Sequence, residues 1–315
     1  MSVISSYPKV SVLMNTYNHV RYVRQAMESV LMQKVNFEHE LVIGEDCSTD
    51  GTREIVLEFA RRYPDRIRLL PRVRNLGPRE NWIETLQACR GQYIAVLEGD
   101  DYWSSVHKLQ KQADFLDAHP DFSICFHAIR HISDDPNMQP RSEGYRSPRK
   151  SVFTLEDILL YNFIPTASVM FRNGLIGEIP DWFRYARPLD WPTHILNARH
   201  GKIGFINEVM GVYREHAAGA SRSMKYVEWI AEFIRMLELV NAELGFRYDA
   251  TIRSAICAWY FRLALHQTIR RNLAGAMKSA RMGIVECCRS RKFPAAAVRY
   301  FITEYKVGEW LSWRD

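Results

Sequence analysis

This 315-residue chain predicts an α/β fold, a mostly parallel sheet flanked by helices, followed by a helical C-terminal subdomain. Three observations carry that prediction. Runs at 9–15, 40–45, 66–70 and 92–97 read as strands, and the last, apolar on both faces, as an interior strand of a parallel sheet. Helix-period stretches separate them at βαβ spacing, which calls for right-handed crossovers. From Tyr226 onward the apolar period becomes purely helical.

The elements follow in order. The first run, KVSVLMN, breaks at Thr16-Tyr17-Asn18, and a helix over 21–33 aligns Val23, Met27, Val30 and Leu31 on one face. The second strand, ELVIGE, ends in the polar loop from Asp46 to Thr52. Its Ser, Thr and Asp residues suit capping of a helix over 53–62 that buries Ile55, Val56 and Phe59. After the third strand, Asn75-Leu76-Gly77-Pro78 makes a turn, and Pro78 suits the first position of a helix over 79–89. The fourth strand ends in Glu98-Gly99-Asp100-Asp101.

Beyond it come a helix at 107–118, a strand at 122–132, and a stretch at 133–150 rich in Asp, Pro, Arg and Ser. That stretch reads as a loop over the site or a plain connection. A short helix at 155–160, a strand at 166–172, a helix at 190–199, strands at 203–207 and 209–213, and a polar loop at 214–223 complete the first part. The tail predicts three or four packed helices. Their stripes are Trp229, Phe233, Met236, Leu237 and Val240; Ile256, Tyr260, Leu263 and Ala264; Met277, Ala280, Ile284 and Val285; and Val298, Ile302, Tyr305 and Trp310. The domains expected are 1–224 and 225–315.

Composition is that of a globular chain, and no segment reaches the ~18 apolar residues of a membrane span. The N-terminus lacks the pattern of a signal peptide, which predicts a cytoplasmic protein. The six cysteines show no CxxC spacing, so reduced, mostly buried thiols are expected. The net charge of +6 is uneven. Residues 1–224 hold 27 basic and 27 acidic side chains, whereas 225–315 hold 15 and 9. A basic tail reads as a wet helical face, a nucleic-acid contact or contact with an anionic membrane surface.

The chemistry concentrates at Asp100 and Asp101, where a strand ends. Ligands bind open α/β sheets at that carboxyl edge. Adjacent carboxylates repel unless a cation lies between them, and Mg2+ or Mn2+ bridging to a phosphate is a common solution. A solvated Asp-Asp turn is the alternative.

Several motifs share the order of one family. Val10 through Asn18, Glu45-Asp46-Cys47-Ser48-Thr49-Asp50-Gly51-Thr52, Asn75-Leu76-Gly77, Glu98-Gly99-Asp100-Asp101 and Tyr213-Arg214-Glu215-His216 resemble the family 2 glycosyltransferases, over about residues 8–223. The resemblance implies the GT-A fold, a Rossmann-like sheet, with a nucleotide-sugar half at about 1–101 and an acceptor half at about 102–224. It implies a metal-dependent inverting transfer from a UDP- or dTDP-type sugar donor to a hydroxyl. The context is surface polysaccharide or lipid-linked glycan synthesis.

It also implies roles. Asn15, Thr16 and Tyr17 lie where the family receives the nucleoside. Asp46 resembles the carboxylate that accepts uracil N3–H, with helix capping as its alternative. Capping is expected of Asp50. Arg79 either faces the nucleotide or is a solvated helix start, and His107 and Lys108 read as a surface pair. Asp100 and Asp101 fill the DXD-like position, Asp101 as metal ligand and Asp100 nearer the ribose, with Mn2+ or Mg2+ as cofactor. His216 would complete the metal shell or contact the diphosphate, and Arg214 would serve the same anion. Asp190 is the expected general base, with Asp181 as fallback, although Leu189 stands where the family has a carboxylate. Trp182 and Trp191 would stack on a sugar or be core. The implied partners are a nucleotide-sugar donor and a saccharide or lipid-linked saccharide acceptor, with no nucleic acid; the basic C-terminal helices, outside the resemblance, add an expected peripheral membrane contact. A sugar nucleotidyltransferase lacks its Gly-rich loop here, and an inert sugar-binding scaffold would not need Asp100, Asp101, Asp190 and His216 together.

Overall fold

The four early runs become the parallel part of a sheet, in which the first, second and fourth are buried on both faces and the third is a partly exposed edge. In the computed structural model, which describes residues 7–134, 150–216, 219 and 225–290, they are β1 (Val10–Thr16), β2 (His39–Glu45), β3 (Ile67–Pro71) and β4 (Tyr93–Val96). They pair in the order β3-β2-β1-β4, with Val12 opposite both Leu41 and Ala95. Helices α1 (Val23–Leu31), α2 (Thr52–Arg62) and α3 (Pro78–Ala88) make the crossovers, and Pro78 opens α3 as expected. Gly44 lets α3 sit close on the sheet. A Cβ there would lie 2.2 Å from Thr85 Oγ1 and 2.6 Å from Asn81 Oδ1.

Past β4 the sheet continues through β8 (Met170–Arg172), β6 (Phe122–Ser133), β9 (Lys202–Glu215) and β5 (Tyr102–Trp103), while β7 (Val152–Phe153) pairs with β9. Here the structure corrects several expectations. β5 has two residues, too few to show a period. The strand expected over 166–172 begins as a 3-10 turn, Thr166–Ser168, where the Ser168 amide and hydroxyl both donate to the Pro165 carbonyl. The two short strands near 203–213 are one strand. Its pairing with β6 jumps from His127–Ile206 to Ala128–Val209, so Asn207 and Glu208 bulge out, and Lys111 binds Glu208. Arg214 and Glu215 belong to that strand, opposite Ile132 and Ser133, rather than to a loop. Residues 135–149, 217, 218 and 220–224, expected as loop, lie outside the described residues.

Lys108 is also corrected. It opens α4 (Lys108–Ala118) fully buried, with its Nζ 3.8 Å from the centre of the Trp103 ring, while His107 is exposed as expected. The first turn of α4 faces the sheet, and the indole face accommodates the amine. Burial pushes the Lys108 amine well below its ordinary value, favouring the neutral form.

The described chain forms two compact units. One falls within Met1–Phe153, Ile164–Ile179 and Leu196–His216 and contains the sheet; the other falls within Thr154–Phe163, Pro180–Ile195 and Ala217–Asp315. The division differs from a single cut near residue 224. In the second unit the Trp191 ring packs at 5.7 Å from Phe233 and 6.4 Å from Trp259, and its indole N–H donates to the Ile158 carbonyl. An aromatic core thus gathers distant stretches of chain.

That unit holds α5 (Leu155–Leu160), the start of α6 (Asp190–Ala198), α7 (Tyr226–Glu243), α8 (Asp249–Ile269) and α9 (Leu273–Ser290). The stripe expected on α9 is on the wrong face. Met277 and Ile284 are exposed, and Ala276, Ser279, Gly283, Glu286 and Ser290 face inward. Small residues win there because α8 lies close, and a Cβ at Gly283 would meet the Phe261 ring at 3.3 Å. The stripe at Val298, Ile302, Tyr305 and Trp310 lies outside the described residues. All six cysteines are free, and Cys89, Cys125 and Cys257 are buried.

Three buried histidines make folding stability depend on pH. Burial, with Arg66 alongside, pushes His39 down to about 4. Burial, with Lys108 next in effect, takes His127 to about 3, and burial alone takes His194 to about 3. The unfolded chain protonates these groups near 6.5 and the folded chain does not. Their contribution is therefore full above pH 6.5 and is lost as pH falls toward 3. Chemical denaturation at pH 7, 6 and 5 should show unfolding free energy falling with pH, the slope approaching about 1.4 kcal/mol per pH unit for each such group below pH 6.5. His194→Gln should flatten that slope, and equal stability at pH 7 and 5 would contradict the account.

Candidate active site

The site begins at the carboxyl edge of β1 and β4. Pairing with β1 persists past the end of β4: Leu97 and Gly99 amides donate to the Leu13 and Asn15 carbonyls. The chain then turns at Asp101, whose amide donates to Glu98. Gly99 lies against the β1–α1 loop so tightly that a Cβ would come 2.5 Å from Thr16 Oγ1 and 3.0 Å from His19 Nδ1. The glycine is needed for approach of backbone to protein, not only to a ligand.

The loop carrying His19 is held by the polar segment after β2. The Asn18 amide donates to Ser48 Oγ, the His19 amide to Thr52 Oγ1 and the Val20 amide to Asp50 Oδ2. Asp50 Oδ1 also accepts from the Thr52 amide, serving the start of α2. The capping expected of Asp50 is not its role: the N-cap of α2 is Gly51, with no side-chain cap, and Asp50 instead shapes the turn before the helix and anchors the neighbouring loop. Glu45 is buried and structural: it accepts from the Ser48 amide and pairs with Arg53.

These constraints bring His19, Asp100 and His216 together, with one ligand atom of each lying within 4.8 Å of the others. His216 Nε2 is 3.0 Å from Asp100 Oδ2, and His19 Nε2 is 3.7 Å from the same oxygen. Burial opposes ionisation of Asp100, yet the His216 hydrogen bond and the charges available on both imidazoles hold its carboxyl below the ordinary value. Asp101 behaves oppositely. Burial and then the Asp100 charge push it well above the ordinary range, while its Oδ1 accepts from the Arg214 amide at 2.8 Å. The negative charge of the pair is concentrated on Asp100. Among the described residues the cluster that fits a cation therefore contains Asp100, and Asp101 ties the turn to β9 instead. Two imidazole nitrogens and one carboxylate suit a divalent transition ion with open positions left over.

Arg214 lies beside this cluster. Its guanidinium stacks over Tyr22 at 4.6 Å and Tyr102 at 5.4 Å, Nη2 donates to Gln25, and its buried Nε has no hydrogen-bond partner. The Tyr22 ring also packs 4.8 Å from His216.

The residues expected at the nucleoside line the same edge. Asn15 has a buried Oδ1 without a partner, Thr16 is buried with Oγ1 3.3 Å from His19 Nδ1, and Tyr17 is exposed. Arg79 is half-buried in the first turn of α3. Asp46 turns its carboxylate to the 75–77 turn, accepting from the Leu76 amide at 2.7 Å and the Gly77 amide at 3.0 Å. Burial raises its pKa, and the two amides oppose that rise.

Asp190 and Asp181 lie in the second unit, outside this cluster's own unit. Asp190 starts α6, with Oδ1 accepting from the Trp191 amide and Oδ2 from Asn162 Nδ2 at 3.0 Å. Asp181 opens a 3-10 turn. Trp191 is core, and Trp182 donates from its indole to Glu243. His19 is the site residue that sequence reasoning missed. Its only signal was its place in the loop after the first strand.

The chain was compared with known proteins. The model of glycosyl transferase family 2 matches residues 11–176. An uncharacterized protein of Mycobacterium tuberculosis is 35% identical over 264 residues, covering 80% of this chain and 74% of that one. A Bacillus subtilis protein named as a candidate teichuronic acid biosynthesis glycosyltransferase, TuaG, is 36% identical over 172 residues, 55% of this chain and 65% of its own. In fold, the chain is similar to the mannosyltransferase PcManGT of Pyrobaculum calidifontis, solved with GDP-Man and Mn2+, with TM-score 0.60 and 17% identity over 98% of this chain and 84% of that one. It is also similar to S. aureus TarS 1-349 solved with UDP-GlcNAc, with TM-score 0.57 and 16% identity over 90% and 92%. With the motifs lying on the carboxyl edge of a GT-A sheet and the family model spanning half of the sequence, this chain belongs to the family 2 glycosyltransferases.

Proposed function

We propose that this glycosyltransferase moves a sugar from a nucleoside diphosphate donor to a hydroxyl acceptor with inversion, using a divalent cation. The observation that carries this reading is the meeting of His19, Asp100 and His216 beside the Asn15–Thr16 edge. A cation bound there would neutralise charge on the departing diphosphate. Two imidazoles favour Mn2+ over Mg2+, which prefers an all-oxygen shell. Arg214, with its unpartnered buried Nε, offers a further donor to the same anion.

Asn15, Thr16, Tyr17 and Arg79 border the space for the nucleoside. Asp46 is the acceptor proposed for a pyrimidine imide N–H. Each of its oxygens takes one amide, and a carboxylate oxygen has room for another donor. Uridine and thymidine nucleotides present the same imide. Asp190 is the proposed base: it takes the proton of the acceptor hydroxyl as the oxygen bonds to the anomeric carbon and the diphosphate leaves from the opposite face. The likeness to a protein named for teichuronic acid biosynthesis supports an acceptor in surface polysaccharide synthesis, saccharide or lipid-linked, made at the cytoplasmic side of a membrane. No helix among the described residues is long and apolar enough to cross one.

A donor-hydrolysis screen over a panel of nucleotide sugars, with and without Mn2+, tests the reading. Chelation should abolish turnover and Mn2+ should restore it. Asp100→Asn should lower activity by roughly 10²-fold or more. Full activity of that variant in chelator would refute metal dependence.

The base is tested separately. Asp190→Asn preserves shape and removes basicity, so transfer should fall by roughly 10²-fold while donor binding by calorimetry stays the same. Normal transfer by this variant would move the role to another carboxylate, with Asp181 the next substitution.

A further inference from the structure

The α8–α9 hairpin carries an apolar face that is exposed among the described residues of the second unit. Phe261, Leu265 and Ile269 on α8 and Leu273, Met277 and Ile284 on α9 are each between 38% and 70% exposed. They lie on one side of the hairpin. Arg253 pairs with Glu286, and Ser279 donates to Gln267, which fixes which positions face each other. In two antiparallel helices, positions one residue beyond the facing ones point to the same side. Met277 and Ile284 follow the inward Ala276 and Gly283. The Phe261 ring reaches Gly283 and so borders the same side.

The charge around this face has one sign. From Phe261 to Ile284 the sequence has no acidic residue, while Arg270 and Arg271 sit at the turn and Arg281 is exposed next to the Met277–Ile284 row. An acidic or neutral protein partner would exploit only part of this pattern. An anionic lipid surface matches all of it, since basic groups meet headgroup charge while the apolar row enters the acyl boundary. A row this exposed on both helices is also larger than scattered surface apolar residues explain.

We propose that this hairpin face docks the protein on an anionic bilayer, lying in the interface without crossing it. This rests on the reading that the acceptor is carried on a lipid, and it places that contact on the outward row of the hairpin, where Met277 and Ile284 are expected from the sequence to pack inward. A transferase held at the surface meets a lipid-linked acceptor by diffusion in two dimensions.

The test is co-sedimentation of the full chain with vesicles of phosphatidylglycerol and phosphatidylcholine, and with phosphatidylcholine alone, at low and high salt. The chain should bind the anionic vesicles at low salt, and salt should weaken binding. Replacing Leu273, Met277 and Ile284 together by Gln should lower partitioning roughly tenfold. Replacing Arg270, Arg271 and Arg281 by Gln should remove the preference for anionic lipid. Circular dichroism checks the fold, and hydrolysis of soluble donor should be unchanged in both variants, which separates this proposal from the active-site reading. Absent binding at low salt, or equal binding by the Leu273/Met277/Ile284 variant, would overturn it. A wild-type dimer that this variant converts to monomer in sedimentation equilibrium would assign the face to a second copy instead.

Discussion

The site depends on one close approach. Position 99 has no room for a side chain, because Thr16 and His19 occupy the space a Cβ would need. That contact brings the turn after β4 against the loop after β1. From it follow the His19–Asp100 proximity and the hydrogen bond that lets Asp101 hold Arg214 on β9. Three loops from distant parts of the chain are thereby locked at one sheet edge. Within the carboxylate pair one member keeps its charge beside two imidazoles, while burial and that charge push the other toward the neutral form.

Around this contact the polar residues have mainly backbone partners. Asp50, Thr52 and Ser48 satisfy amides of the 18–20 loop, and Asp46 satisfies those of the 75–77 turn. Buried loop amides are costly when unpaired. The acidic and hydroxyl side chains after β2 therefore make the edge rigid before any substrate arrives. A rigid edge loses less entropy when a ligand binds than a mobile one would. At this edge Asn15 Oδ1 and Arg214 Nε are buried without a hydrogen-bond partner.

The second unit follows different rules. Its core is aromatic, built from Trp191, Phe233 and Trp259, and its hairpin interface is made from small residues that let α8 and α9 come close. Packing small residues inward turns the larger apolar ones outward. The exposed row on α8 and α9 is thus a consequence of how the hairpin closes, and the same geometry sets it apart from the charged faces.

Local pattern alone determined a good deal. The run at 92–97, apolar on both faces, predicted an interior parallel strand, because its burial is written into its own side chains. Pro78 and the Ser/Thr/Asp loops marked helix starts through their own backbone chemistry. The Asp100–Asp101 pair and His216 stood out by residue type and order. What only the tertiary structure decided are the relations between segments. His19 became a site residue because Gly99 approaches it, Asp100 rather than Asp101 faces the imidazoles because Arg214 claims the other carboxylate, and Lys108 is buried because β5 brings Trp103 beneath α4. The bulge in β9 and the inward face of α9 were hidden for the same reason. A strand's register and a helix's buried side are set by the neighbour it packs against, and that neighbour is distant in sequence.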